Sequence, residues 1–131
     1  MTKATASLLY SEDHEWVLQL GGNRVRIGIS DYAQDQLGDI VFVENAEMDD
    51  KVTANETMGT IESVKTASEL YSPVSGTVVG VNDSLGDAPE TINEQPYEAG
   101  WLIEVEMSNP EELEALLSED EYKEFVSEGD V

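Results

Sequence analysis

The chain of 131 residues contains no cysteine, one histidine, and only 6 lysines and arginines against 29 aspartates and glutamates. Without cysteine it has no disulfide framework, no thiolate nucleophile and no zinc site built on cysteine. One histidine, His14, cannot form a two-histidine metal site, and the sequence contains no glycine-rich phosphate loop. We interpret His14 as a structural residue on a strand beside Trp16. The missing catalytic constellation disfavours an enzyme.

The shortage of basic residues gives a formal net charge of −23. This charge excludes nucleic acid as a natural partner, because like charges repel along the phosphate backbone, and it argues against anionic membrane surfaces. The acidic residues are spread along the whole chain, which predicts a solvated acidic surface. At about 1 M salt the Debye length falls to roughly 3 Å and most self-repulsion disappears. We therefore hypothesise a salt-rich cytoplasm, as in a halophile.

Long apolar runs are absent as well, and none is long enough to span a bilayer. Residues 1–7 lack the hydrophobic core of a signal peptide and the arginine-rich character of a transit peptide. A length of 131 residues predicts one domain over residues 1–131. We expect a cytoplasmic protein.

The first half of the chain has the pattern of strands. Alternating apolar residues indicate strands in residues 7–10, 16–20 and 25–29. Asp31 with Gln34 three residues later is a capping-box signature, which predicts a short helix over residues 32–37 that ends at Gly38.

The middle of the chain contains an internal repeat. Residues 38–45 resemble residues 76–82, and residues 58–61 resemble residues 100–103. Two similar sets of strands can close into a flattened barrel or sandwich, so the repeat predicts a mainly β core over about residues 8–107.

The tail, residues 109–127, is expected to form two helices. Asn109 and Pro110 are typical of a helix start, with Leu113 among the apolar residues that follow. Ser118 and Glu121 form a second capping box.

Lys65 lies between the two copies of the repeat. Its flanks read as strands, so we expect it at the tip of a hairpin. The tip lacks the Gly, Asn or Asp that two-residue hairpins usually contain. The pattern alone leaves open whether Lys65 is an ordinary surface lysine or a functional amine.

The residues around Lys65 resemble a known sequence. Residues 62–65 (ESVK) and 68–78 (SELYSPVSGTV) are similar to the lipoyl-attachment segment of the glycine cleavage system H-protein family. The resemblance extends from about Tyr10 to Phe125. It also includes residues 14–17 (HEWV), 27–39 (IGISDYAQDQLGD) and 93–102 (NEQPYEAGWL).

The resemblance implies a barrel-sandwich hybrid with lipoic acid amide-linked to Lys65. Such a protein is a carrier rather than an enzyme. It takes an aminomethyl group from glycine decarboxylase to aminomethyltransferase, and dihydrolipoamide dehydrogenase then reoxidises it. A lipoate-attaching enzyme is a further implied partner. The sulfurs belong to the cofactor, so the absence of cysteine is no objection.

The resemblance also implies roles for four other residues. Glu62 matches an acidic residue read by lipoate-attaching enzymes, and Gly76 matches a turn glycine where a side chain could clash with docking. Glu15 and Glu69 match carboxylates that hold the loaded amine in a cleft, as a charge-assisted hydrogen bond would. The match is weaker at Glu69, where aspartate is usual, and at Asp13, where a small hydroxyl residue is often found.

Other carriers are alternatives. A lipoyl domain of a 2-oxo acid dehydrogenase and a biotin carrier also present a lysine on a hairpin, although biotin carriers usually place methionines where this chain has Val64 and Thr66. An H-like protein that only relays lipoyl groups, an enzyme, and an unmodified binding module are further alternatives.

Overall fold

The computed structural model describes residues 8–129, with side chains described up to Val126. Strands and short helices follow one another along this part of the chain. The strands are β1 (Leu8–Tyr10), β2 (Glu15–Gly21), β3 (Arg24–Ile29), β4 (Ile40–Glu44), β5 (Lys51–Val52), β6 (Thr57–Ser63), β7 (Ala67–Tyr71), β8 (Gly76–Val81) and β9 (Ile103–Met107). The α-helices are α1 (Asp31–Leu37), α2 (Thr91–Glu94) and α3 (Glu119–Gly129), and 3-10 turns cover Asp83–Gly86 and Pro110–Ala115.

The strands form two antiparallel sheets. One has six strands in the order β1-β2-β3-β9-β8-β5, and the other has three in the order β4-β6-β7. Side chains from both sheets meet in one apolar core, which includes Val25 and Ile27 of β3, Ile61 of β6 and Val105 of β9. The mainly β, sandwich-like fold predicted from the sequence is confirmed.

The internal repeat corresponds to two similar strand pairs. Its first copy forms β4 and β6, which pair antiparallel with Val43 opposite Ile61. Its second copy forms β8 and β9, which pair antiparallel with Val78 opposite Val105. The two pairs lie in different sheets. The β6–β7 hairpin therefore connects the first copy to the second.

The start of helix α1 differs from the prediction by one residue. Ser30, not Asp31, is the N-cap, and its Oγ accepts a hydrogen bond from the backbone N–H of Ala33 at 3.1 Å. Asp31 instead accepts a hydrogen bond from the side chain of Gln34 at 2.8 Å. The helix ends at Gly38, as predicted, with the Gly38 N–H donating to the Gln34 carbonyl.

The tail is partly as predicted. The capping box is present, because Ser118 N–H donates to Glu121 and Glu121 N–H donates to Ser118 Oγ. The first predicted helix is a short 3-10 helix, Pro110–Ala115, whose N-cap Asn109 makes no side-chain capping hydrogen bond. After this helix, Leu117 forms two backbone hydrogen bonds with Tyr10, one in each direction.

His14 is not the strand residue that the sequence analysis expected. It stands in a tight turn before β2, with a positive φ of 73°. Its backbone N–H donates to the Ser11 carbonyl, and the Ser11 N–H donates to the Glu15 carbonyl. This turn sets the direction in which Glu15 enters β2. Within residues 8–129, no helix is long and apolar enough to cross a membrane.

Candidate functional site

Lys65 lies at the tip of the β6–β7 hairpin, as expected. Val64, Lys65 and Thr66 form the connection, and the Ser63 N–H closes it by donating to the Thr66 carbonyl at 2.8 Å. Lys65 is exposed. Among the described residues, no carboxylate oxygen forms a salt bridge with its Nζ atom. The tip therefore presents a primary amine to solvent.

Ser63 holds the tip in place of the Gly, Asn or Asp that the sequence lacks there. Its Oγ atom accepts hydrogen bonds from the N–H groups of Lys65 and Thr66, both at 3.2 Å. Serine hydroxyls form such local bonds to nearby backbone groups in turns. Sequence reasoning missed this role, although a serine two residues before the lysine is a signal that could have indicated it.

The segment that follows helix α1 contacts the hairpin tip and supports it. The Val64 N–H donates to the Asp39 carbonyl at 3.0 Å. The side-chain amide of Asn93 donates to the Gly38 carbonyl and accepts from the Ile40 N–H, both at 2.9 Å. The segment that follows helix α1 is thus hydrogen-bonded both to the hairpin loop and to helix α2, so the lysine stands on a defined base.

A cleft of about 390 Å³ opens between the start of β2, helix α1 and strand β7. Glu15 and Glu69, the two carboxylates singled out from the sequence, both line it. Ser68 and Tyr71 line it as well, together with apolar side chains such as Leu70. The structure therefore brings together two residues that lie 54 positions apart.

Glu15 is a buried carboxyl group, with only 2% of its surface exposed. Its Oε1 atom accepts a hydrogen bond from Ser11 Oγ at 2.8 Å, and its Oε2 atom accepts one from the Tyr71 N–H at 3.1 Å. Burial raises the pKa of Glu15 to about 8, although both hydrogen bonds favour the ionised form. Around neutral pH this group can hold or release a proton.

Glu69 is the exposed carboxylate of the pair. Its Oε1 atom accepts hydrogen bonds from Thr57 Oγ1 at 3.1 Å and from the Tyr71 hydroxyl at 3.3 Å. The charge of Glu69 raises the pKa of Tyr71. Two neighbouring side chains therefore hold Glu69 at the rim of the cleft.

His14 also lines the cleft. Its Nδ1 atom is 2.8 Å from the Tyr122 hydroxyl, which in turn is 2.7 Å from Ser30 Oγ. Burial lowers the pKa of His14, with a weaker opposing effect of Asp13. His14 thus connects helix α3 to the wall of the cleft.

Glu62 and Gly76 lie outside the cleft. Glu62 is exposed on β6, opposite Phe42 and Ala67. The sequence analysis matched Gly76 to a turn glycine, whereas in the structure it is the buried first residue of β8. A Cβ atom there would overlap the Glu106 carbonyl and come within 2.8 Å of Val105 Cγ1. The close packing of β8 against β9 is therefore a sufficient reason for glycine at this position.

Comparisons with known proteins agree with this geometry. The family model for the glycine cleavage H-protein matches residues 8–129. The chain belongs to the glycine cleavage H-protein family. The glycine cleavage system H protein of Halalkalibacterium halodurans is 57% identical over 98% of this chain and 99% of its own length. That of Staphylococcus haemolyticus is 54% identical, over 94% of this chain and 97% of its own length.

A solved structure is similar throughout. The crystal structure of a glycine cleavage system H protein from Mycobacterium marinum superposes with a TM-score of 0.80, at 35% sequence identity. The match covers 96% of this chain and 98% of that one. The two-sheet fold described above is therefore a lipoyl-carrier fold.

Membership of the family defines the chain's role and its cofactor. The chain is the lipoyl-carrying shuttle of the glycine cleavage system, and H proteins carry lipoate covalently attached to a lysine. The residues present fit such a group. The Lys65 side chain is exposed on a tip held by Ser63, and its stem passes close to Gly38, where a Cβ atom would lie 3.2 Å from Lys65 Cε and crowd it.

Proposed function

We propose that Lys65 is the lysine that carries lipoate. The observation that supports this most directly is the position of its amine, which is exposed at the hairpin tip on a backbone fixed by Ser63. An attachment point of this kind has to be both accessible and rigidly based. When bound, the lipoyl group supplies a disulfide that accepts an aminomethyl unit and is later restored by oxidation.

The test of this proposal compares Lys65→Arg with Lys51→Arg. Lys51 is the matched control, because it is exposed on β5, in the six-stranded sheet away from the β6–β7 hairpin, where its Nζ donates to Thr77 Oγ1 of the neighbouring strand β8. After incubation with lipoate, ATP and a lipoate-attaching enzyme, we expect intact mass to show one lipoyl group on wild type and on Lys51→Arg, and none on Lys65→Arg. Glycine–bicarbonate exchange with glycine decarboxylase should follow the same order. Full activity of Lys65→Arg would end the proposal.

We also propose that Glu15 and Glu69 receive the amine of the loaded arm in the cleft. A protonated amine beside a carboxylate forms a charge-assisted hydrogen bond, which is stronger than a neutral one. Because Glu15 is buried and its pKa is raised, an incoming cation would favour its ionised form and release its proton. Faster loss of ammonia from a loaded Glu15→Gln variant is the expected result, and unchanged loss would remove Glu15 from this role.

We also propose roles for Glu62 and Gly76. Exposed Glu62, three residues before Lys65, is available to a lipoate-attaching enzyme. Gly76 acts, in our proposal, through the packing of β8 on β9 rather than at the surface, because it is buried.

The partners are proposed from the role of the family. They are glycine decarboxylase, aminomethyltransferase, dihydrolipoamide dehydrogenase and a lipoate-attaching enzyme. We propose that the chain itself catalyses no step of the cycle and works in the cytoplasm. One core shared by both sheets supports treating the described residues as a single carrier domain.

A further inference from the structure

An exposed apolar patch lies next to Lys65. Val64, in the hairpin loop, is 67% exposed, and Val41 and Phe42 of β4 are 52% and 50% exposed. The loop and β4 are adjacent, because the Val64 N–H donates to the Asp39 carbonyl and Phe42 pairs with Glu62. We call Val41, Phe42 and Val64 the tip patch. Clustered exposed apolar side chains on a soluble surface are typical of a binding site.

The part of the tip patch that lies on β4 results from an irregularity in that strand. In a regular strand, successive side chains point to opposite faces, so Val41 and Phe42 could not both face solvent on a half-buried sheet. The register with β6 shifts between Ile40 and Phe42, which is the mark of a bulge. A bulge re-aims side chains and interrupts pairing. Here the consequence is that Ile40 is buried while Val41 and Phe42 are both exposed.

The surroundings of the tip patch are acidic. Asp39, Glu44 and Glu62 are exposed on β4 or on the elements beside it. Strand β4 is also an edge of the three-stranded sheet formed by the described residues. A fitting partner therefore has an apolar centre and a basic rim, the usual arrangement of an interface with a dry core and a polar periphery.

The position of the patch selects one partner among those that act on this chain. The enzyme that acylates Lys65 must bring its active site to Nζ, which is only a four-carbon stem away from the backbone. Val64 is the preceding residue, so such an enzyme has to cover it. Enzymes that act on the sulfur end of the lipoyl group reach their reacting atoms one acyl chain away from Nζ, so their chemistry does not require contact with Val64.

We propose that the tip patch is the docking surface for the lipoate-attaching enzyme. This inference rests on the proposed role of Lys65. In the docked pair, the deprotonated Lys65 nitrogen attacks the carbonyl carbon of an acyl adenylate. The new C–N bond forms, the C–O bond to phosphate breaks, and AMP leaves with the electron pair. The ammonium proton goes to a base of the enzyme or to water.

The experiment measures acylation of the unmodified full-length chain by a purified lipoate-attaching enzyme with lipoate and ATP. Phe42→Ser and Val64→Ser remove apolar side chains from the patch. Met48→Ser is the matched control, because Met48 is an equally exposed apolar residue (54%) in the loop before β5. We expect the KM for the carrier to rise about tenfold for each patch variant, the size typical of losing one important interface contact, with kcat unchanged.

Direct binding gives a second measurement. The Kd of the enzyme for Lys65→Arg, which cannot be acylated, should rise about tenfold when Phe42→Ser is added and should not change when Met48→Ser is added. Thermal melts of all variants establish that they are folded, and Val64→Ser, in the loop, tests the patch without altering a strand.

The outcomes separate the two proposals. If wild type takes up no lipoate on Lys65, the proposed function fails. If wild type is acylated and the patch variants keep the same KM and Kd, the docking inference fails alone. Normal acylation of the patch variants combined with weaker binding to glycine decarboxylase would also overturn it, by assigning the patch to that enzyme.

Discussion

The Cε atom of Lys65 lies 3.2 Å from the position that a Cβ atom on Gly38 would occupy. Gly38 has φ 81° and ψ −159°, a backbone conformation that is essentially restricted to glycine. The residue that ends helix α1 is thus also the residue that makes room for the stem of the attachment lysine.

Gly38→Ala should therefore disturb both the backbone and the lysine. We expect a loss of about 1–3 kcal/mol in the free energy of unfolding from the strained conformation, measured by urea titration. Gly86→Ala is the matched control, because no atom lies within 4 Å of the new Cβ and its φ is ordinary. Equal stability of the two variants would contradict this account.

Ser63→Ala should loosen the hairpin tip without unfolding the sheet. The variant loses the acceptor that holds the N–H groups of Lys65 and Thr66, a contribution of about 1 kcal/mol. Hydrogen exchange at these two amides should become roughly fivefold faster, since protection follows the local opening free energy. Ser108→Ala, on an exposed residue after β9, should leave both rates as in wild type.

Local patterns in the sequence were sufficient for the strands and for the hairpin tip. Val25, Ile27 and Ile29 are every second residue of β3. This alternation predicted the strand, because every second side chain of a strand points to the same face of the sheet. The start of α1 was placed one residue late because Ser30 and Asp31 are both good capping residues, and tertiary structure decides between them.

The walls of the cleft could not be predicted from local patterns. Glu15 meets the Tyr71 N–H across 56 positions, and His14 meets Tyr122 across 108. No short-range signal encodes such pairs. The bulge that exposes both Val41 and Phe42 depends on the register between β4 and β6, which one strand's sequence does not specify.

Gly76→Ala should be strongly destabilising, because the new methyl group would meet the Glu106 backbone and Val105 within a buried strand pair. Overpacking of this kind typically costs about 1–3 kcal/mol or more. Chemical unfolding checks it, with Gly86→Ala again as the comparison. If the variant were as stable as wild type but no longer accepted lipoate, Gly76 would have a direct role in recognition instead.

Salt should stabilise the fold. The 29 acidic residues outnumber the 6 basic ones, and the ion pairs among the described residues involve only Arg24, Arg26 and Lys123, so most carboxylates repel one another. Screening at molar KCl should raise the Tm by on the order of 10 °C relative to very low salt. An unchanged Tm, or an equal gain from a neutral osmolyte, would refute the halophile hypothesis.

Glu15 should make stability fall as the pH rises. Burial raises its pKa from 4.5 to about 8, so between these values the folded chain binds more protons than the unfolded chain. The stabilisation from the neutral acid is complete below about pH 4.5 and is lost as the pH rises through 8. Glu15→Gln mimics the neutral acid and removes this dependence.

As the pH rises from 5 to 8, the free energy of unfolding of wild type should therefore fall relative to that of Glu15→Gln, by on the order of a few kcal/mol. Urea titrations at several pH values measure this difference. Glu62→Gln is the control, because it makes the same substitution at an exposed carboxylate. Both variants lose one carboxyl group, but only the Glu15 carboxyl is buried, and burial raises its pKa, so a pH dependence that differs between the variants reports the burial of Glu15. Parallel curves for the two variants would mean that Glu15 is already ionised in the folded chain.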